Sequence, residues 1–224
     1  GVITAHCLVI AIYLGRFADG RTWRPVAAGV LFGLACMMRL QLAPALFAFI
    51  LSIPLWADYP SRRFTWITVG MVAGAVISGF VDVLTWGAPF HSTITNYYIN
   101  LISGTAATYG TYPEWAYLTW MWDANPVGNL LLGVAILAGS ARFSSLTWPA
   151  LALFVAHTGI EHKEYRFLYP VIVLGSVTVG LWAAQFLQEM KHNLSVSRRQ
   201  WCTVSAVAFA IVFALSSWHA ADSF

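Results

Sequence analysis

Long apolar runs with almost no charge inside them constrain this chain more than any other feature. Seven stretches, 1–15, 26–56, 65–87, 126–140, 146–160, 167–187 and 200–219, hold no Asp, Glu, Lys or Arg apart from Arg39 and Asp82. About 20 apolar residues cross the hydrocarbon core of a bilayer, and fewer suffice where a segment re-enters or is shielded by neighbours. Charged residues make up 9% of the chain, against about a quarter in soluble domains, and hydrophobic residues make up 59%. A water-soluble surface cannot be built from that inventory. The expectation is an all-α, polytopic helical membrane protein. A net charge of only +3 gives no basic surface for nucleic acid. Cys7, Cys36 and Cys202 are odd in number and sit in apolar runs, so they read as buried thiols rather than a disulfide framework.

The charges that remain give a sidedness. The gaps between runs carry Arg16, Arg21 and Arg24; Arg62 and Arg63; Arg142; and Lys191, Arg198 and Arg199. The positive-inside tendency puts all four gaps on the cytoplasmic side. The run 26–56 then begins and ends on one side and is expected to be a helical hairpin, with Arg39 near its tip between Met38 and Leu40. An unpaired cation there is expensive, so it should face a cavity or an anion. Of 12 Lys and Arg residues, only Arg39, Lys163 and Arg166 fall on the opposite side, together with Asp82, Glu114, Asp123, Glu161, Glu164 and Asp222. Three cations where topology disfavours them call for a reason. The plainest one is pairing of Lys163 and Arg166 with Glu161 and Glu164 at a helix end.

The same reckoning places a long outer loop, 88–125, opposite the 161–167 segment. Its aromatic residues include an amphipathic grouping of Trp115, Tyr117, Leu118 and Trp122 suited to the headgroup layer. Most such rings belong to an interfacial aromatic belt, and a few suit a prenyl chain or stack on a sugar. The sequon Asn193-Leu194-Ser195 lies in a gap read as cytoplasmic, so no glycan is expected on it. The chain opens on Gly1 inside an apolar run, which reads as a piece of a longer protein.

His162-Lys163-Glu164-Tyr165-Arg166-Phe167 is where the polar chemistry concentrates. Pro170 suits the first turn of a helix, so the following helix should start near Phe167–Tyr169 with His162–Arg166 feeding its N-terminus. Backbone N–H groups and the helix dipole favour an anion there, and Lys163 and Arg166 add full charges. A phosphate is the natural guest, with Arg bidentate and Lys a point charge. His157 and His162 with Glu161 have spacing unsuited to one helical face, and no metal is expected.

His-Lys-Glu-x-Arg-Phe is similar to the signature of glycosyltransferase family 22, the lipid-phosphate-mannose-dependent mannosyltransferases of GPI-anchor and N-glycan assembly, which have the GT-C membrane fold. The run Asp82, Trp86-Gly87-Ala88-Pro89-Phe90, Asn96, Asn100, Tyr109-Gly110, Pro113 and Trp115-Ala116-Tyr117-Leu118 also follows that family's outer-loop order. The resemblance covers 80–170 well and the Arg39 region loosely, since Arg39-Leu40-Gln41 stands where Arg-Pro-Thr is usual. It implies inverting transfer of mannose from a polyprenyl- or dolichyl-phosphate donor to a lipid-linked glycan or GPI-type acceptor, without a metal or other cofactor. It implies an active site on the non-cytoplasmic side of an endoplasmic reticulum or bacterial inner membrane. Lys163, Arg166 and Arg39 are the expected donor-phosphate ligands, and His162 and Glu164 position groups or handle protons. Asp82, Asn96, Tyr109 and Trp115 are expected in the acceptor or loop region. The family's acidic base lies in an earlier outer loop, so the main base is expected upstream and this piece alone is expected to be inactive. A transporter or flippase for an anionic lipid or sugar would use the same cations, but the internal repeat common in transporters is not seen.

Overall fold

The computed structural model of this chain describes residues 2–17 and 20–193, and among these the structure is helical with no strand. The helices are α1 (Val2–Arg16), α2 (Trp23–Met38), α3 (Ala43–Trp56), α4 (Pro60–Trp86), α5 (His91–Tyr97), α6 (Ala116–Ala124), α7 (Pro126–Ala138), α8 (Ser144–Thr158) and α9 (Tyr169–Asn193). Short 3-10 turns at Leu40–Leu42, Thr105–Tyr109 and Tyr165–Leu168 and a π turn at Tyr98–Ile102 join them. The span 200–219, Arg198, Arg199, Cys202, Asp222 and the sequon's Leu194 and Ser195 lie outside the described residues, as does the side chain of Lys191.

Among the described residues, two helical segments are long and apolar enough to cross a membrane, Pro60–Trp86 and Tyr165–Gln188. With 27 residues, α4 is about 40 Å long. It starts at Pro60, whose missing N–H matters least in the first turn, and stops at Gly87 in the left-handed conformation (φ 76°), whose N–H reaches Val83 O at 3.0 Å. Its start is earlier than the apolar run suggests. Arg62 and Arg63 therefore ride on the first turn of α4 instead of in a gap. On α4 the large apolar side chains face outward: Val72, Val76, Phe80 and Leu84 are 59–70% exposed. Its buried face is made of Ile67, Gly70, Gly74, Gly79 and Asp82. Large outside and small inside is the pattern of a helix solvated by lipid, where close backbone approach replaces hydrophobic burial.

Helix α2 is the partner on that small face. Gly29 and Gly33 meet Gly70 and Gly74 so closely that a Cβ on Gly29 would sit 2.0 Å from Ile67 O. The run 26–56 does reverse at Arg39, which is extended (φ −146°, ψ 90°) and ends α2. The two arms do not zip together, however. Helix α2 packs mainly on α4 and α1 and α3 mainly on α8, with Phe32 and Phe49 touching across the reversal at 5.0 Å between ring centroids. Leu8, Ile12, Phe32, Phe49, Ile67, Leu153, Leu168 and Leu174 form the shared core.

The bundle has two chemically distinct ends. At one, the Arg16 guanidinium donates to Ser145 Oγ (3.1 Å) and that of Arg63 to Gly15 O (2.6 Å), and both lie within 6 Å of the Trp56 ring. Three of the arginine-bearing gaps thus meet at this end. Thr4, twelve residues before Arg16 and about 18 Å along α1, belongs to the other end, together with Arg39, His157 and Arg166.

Candidate active site

Helix α8 stops at Thr158, and residues 159–164 run in extended and bent form to the 3-10 turn at Tyr165–Leu168, which hands over to α9. Pro170 is the second residue of α9, where its ring is tolerated. Arg166 therefore lies in that 3-10 turn, closed by Phe167 N–H donating to Glu164 O at 3.0 Å.

The segment 88–125 docks on this loop. Tyr112 N–H donates to Glu161 O (3.0 Å), the His162 ring meets Gly110 O through Nδ1 (2.9 Å), and the Tyr117 hydroxyl reaches Glu164 O (3.4 Å). Gly110 makes this possible by adopting φ 107°, a conformation open to glycine. The aromatic grouping expected to share one face is split. Trp115, Leu118 and Trp122 point outward (58–63% exposed), whereas Tyr117 is fully buried. The spacing i, i+3, i+7 explains the outer stripe, and Tyr117 falls on the opposite side of α6. Burial pushes the Tyr117 phenol up to about 12, so it stays a neutral donor.

Lys163 occupies an unexpected place. It is 3% exposed, and its Nζ donates to Ile160 O (2.6 Å) and Tyr112 O (3.3 Å) while lying 5.9 Å from the centre of the Tyr117 ring. Two of its three ammonium protons are spent on backbone carbonyls. Pairing with Glu161 is not what holds it. Its position is that of a staple between the outer segment and the signature loop.

Glu164 and Arg166 do pair. Arg166 Nη2 donates to Oε1 at 2.6 Å and its Nε contacts Oε2, giving a two-pronged bridge, and His162 Nε2 lies 3.2 Å from Oε1. Desolvation raises the Glu164 carboxyl, but the hydrogen bonds from Arg166 and His162 outweigh it and hold the group below its ordinary range. With one ring nitrogen facing a carbonyl oxygen and the other a carboxylate, both His162 contacts are satisfied when each nitrogen carries a proton.

A cleft opens beside this turn, lined by Thr4, Arg39, Gln41, Leu42, His157, Arg166, Phe167 and Pro170. It gathers residues from α1, the α2–α3 reversal, α8 and the start of α9. Arg39 is half-buried, and among the described residues its guanidinium has no hydrogen bond or ion pair. His157, 3% exposed, turns Nδ1 back to Leu153 O (2.7 Å) and packs on Phe167 with ring centroids 5.6 Å apart. The sequence reading gave His157 no role beyond a poor metal pair. The signal that could have found it is a lone imidazole inside an apolar helix, five residues before His162.

The remaining candidates lie elsewhere. Asp82, 6% exposed, accepts from Ser92 N–H (2.9 Å) and Ser92 Oγ (2.7 Å), pinning the start of α5 to α4. Asn96 accepts from Asn100 Nδ2 through its backbone (3.0 Å) and side-chain (3.2 Å) oxygens. Tyr109 is exposed, 6.2 Å from the His162 ring, and Trp115 caps α6 from the surface. None of these four lines the cleft. Among the described residues no three His, Cys, Asp or Glu side chains converge as metal ligands would.

The sequence profile of the Alg9-like mannosyltransferase family matches residues 5–221. A "GPI mannosyltransferase 3" of Yarrowia lipolytica (strain CLIB 122 / E 150) is 33% identical over 156 residues, which is 68% of this chain and 28% of that protein. The chain thus spans little more than a quarter of that relative's length. No solved structure matches it. With the profile extending over nearly the whole sequence, the chain belongs to the Alg9-like mannosyltransferase family.

Proposed function

We propose that this chain supplies the donor-phosphate half of a multi-pass membrane mannosyltransferase of GT-C type. Mannose passes from a polyprenyl or dolichyl phosphate to a GPI-type or other lipid-linked glycan acceptor, with inversion at the anomeric carbon. Family membership and the name of the Yarrowia relative support the sugar and the acceptor class. The observation that carries the site is the cleft itself. Arg39 and Arg166, far apart in the sequence, line one small cavity, and Arg39 has no carboxylate among the described residues to neutralise it.

The chemistry follows from that charge. An acceptor hydroxyl, deprotonated as it attacks, displaces a single phosphate carried by the lipid, and negative charge grows on the departing oxygen. The guanidinium groups of Arg39 and Arg166 stabilise that charge, with Arg166 already held in place by Glu164. Protein cations suffice for a lone phosphate, and no metal is invoked. Glu164 holds Arg166 in place through the two-pronged bridge, and His162 holds Glu164. Lys163 acts one step back, tying the outer segment over the loop. With Glu164 ionised and fully engaged, the base for the acceptor hydroxyl belongs elsewhere in the full-length protein. The arginine-rich end would face the cytoplasm and the cleft the opposite side of an endoplasmic reticulum or bacterial inner membrane. Nothing in the comparisons favours a transporter.

The test is transfer of radiolabelled mannose from polyprenyl phosphate mannose by membranes containing the full-length protein. Arg39→Ala and Arg166→Ala should each lower transfer by about 10²-fold, the usual loss when one preorganised donor at a developing charge is removed. Transfer at the wild-type rate by both variants, at matched protein levels, would refute the phosphate cleft.

A further inference from the structure

His157 has a distinct chemical character in this cleft. Its Nδ1 lies 2.7 Å from Leu153 O, one turn earlier in α8. A carbonyl only accepts, so Nδ1 carries the proton and the neutral ring presents a bare Nε2 lone pair. Nε2 has no hydrogen-bond partner among the described residues, although the residue is 3% exposed. Nε2 itself keeps access to the cleft, so a ligand there can bring a donor to it. The ring is also fixed in orientation, held by its own helix on one side and Phe167 on the other. Its surroundings decide what it accepts. Arg39 and Arg166 line the same cleft, and a second proton on the imidazole would add a third cation to a confined space. A bare lone pair also repels phosphate oxygens. The complementary partner is a neutral O–H donor attached close to a phosphate.

Resting on the donor-phosphate reading above, we propose that His157 accepts a hydrogen bond from a hydroxyl of the sugar carried by the lipid phosphate. The two arginines bind the part common to every such lipid. His157 reads whether a sugar is attached and orients its ring for attack, as a positioning and specificity residue. Gln41, exposed at the cleft wall, is a further uncharged polar group placed to meet the sugar, and Thr4 lines the same cleft.

The experiment compares the affinities of the full-length protein, in lipid nanodiscs, for polyprenyl phosphate and for polyprenyl phosphate mannose. His157→Leu keeps apolar bulk against Phe167 but removes the acceptor. It should weaken binding of the mannosylated lipid about tenfold, as expected for one buried hydrogen bond, and leave the bare lipid phosphate within about twofold. His157→Gln, whose amide oxygen can reach the place of Nε2, should restore most of the difference. Arg39→Ala should weaken both lipids alike. Equal affinities of His157→Leu and wild type for the mannosylated lipid would overturn the proposal. So would equal loss of both lipids by His157→Gln, since that places the residue on the phosphate or in the packing. Unchanged binding of both lipids by Arg39→Ala and Arg166→Ala would instead remove the phosphate reading on which the proposal stands.

Discussion

Substituting Gly29 by Ala tests whether close backbone approach of α2 and α4 sets the cleft. A Cβ at Gly29 would meet Ile67 O at 2.0 Å, Met71 N at 2.8 Å and Gly70 Cα at 2.9 Å. All three are backbone atoms, so no rotamer change relieves the clash. A Cβ essentially never lies within 3.0 Å of such atoms, so the helices must separate by about 1 Å or more. Overpacking of this kind costs about 1–3 kcal/mol, and separation also loosens the neighbouring Gly33–Gly74 contact. Ala gains up to about 1 kcal/mol over Gly in helix propensity. The net expectation is a loss of about 1 kcal/mol, or about 2–4 °C in Tm for a chain of this size. Gly133→Ala in α7 is the control, because nothing lies within 4 Å of its added Cβ, and it should be neutral or stabilising by about 0.5–1 kcal/mol. The function should fall with the packing. Helix α2 ends at Arg39, and a displacement of about 1 Å at a positioned group can lower the rate about 10²-fold. Thermal unfolding in detergent and mannosyl transfer in membranes are the two assays. If Gly29→Ala melts at or above the wild-type temperature and transfers normally, the argument from backbone contact fails.

Two further outcomes follow from the signature loop. Lys163→Met should keep the aliphatic stem but strand the carbonyls of Ile160 and Tyr112, costing about 1–3 kcal/mol. Limited proteolysis should then cut the 104–115 segment faster, whereas intact protection alongside lost donor binding would restore Lys163 as a direct phosphate ligand. Glu164 gives a pH signature. Its folded-state value is depressed, so its contribution is present above the ordinary glutamate value of 4.5 and disappears as pH falls through the lower folded value. Wild type should exceed Glu164→Gln in thermal stability at pH 6, with the gap closing below pH 4.5. A gap that stays constant through that window would show that the carboxylate is not held by Arg166 and His162.

Much of the helix inventory was legible where an apolar run is bounded by a residue with a local reason to stop or start a helix. Pro126 follows Asn125, whose side chain accepts from Gly128 N–H at 2.8 Å, and α7 begins where the run does. Pro170 marked the start of α9 in the same way. Charge did what local propensity could not. Arg16, Arg63 and the loop bearing Arg142 meet at one end, and Arg39 and Arg166 at the other, because a cation in an apolar slab is tolerated only near its surfaces or in a cavity. The division of labour inside the signature was hidden. Lys163 and Arg166 are both cations three residues apart, yet one is buried and the other 55% exposed. Nothing local to either distinguishes them.

What the sequence determined by itself is therefore the apolar, helical build and the separation of most of its cations from Arg39 and Arg166. These depend on composition and on spacing along the chain. Tertiary structure alone decided which polar groups share a cavity. Arg39, His157 and Arg166 converge because α2 lies against α4 through glycines and α1, α8 and α9 pack around a common core. It also turned Lys163 inward, since the carbonyls of Tyr112 and Ile160 come within its reach only when the outer segment folds back onto the loop. Hydrogen-bond partners are chosen by proximity in space, and spacing along the chain does not encode that where the partners are brought together by packing.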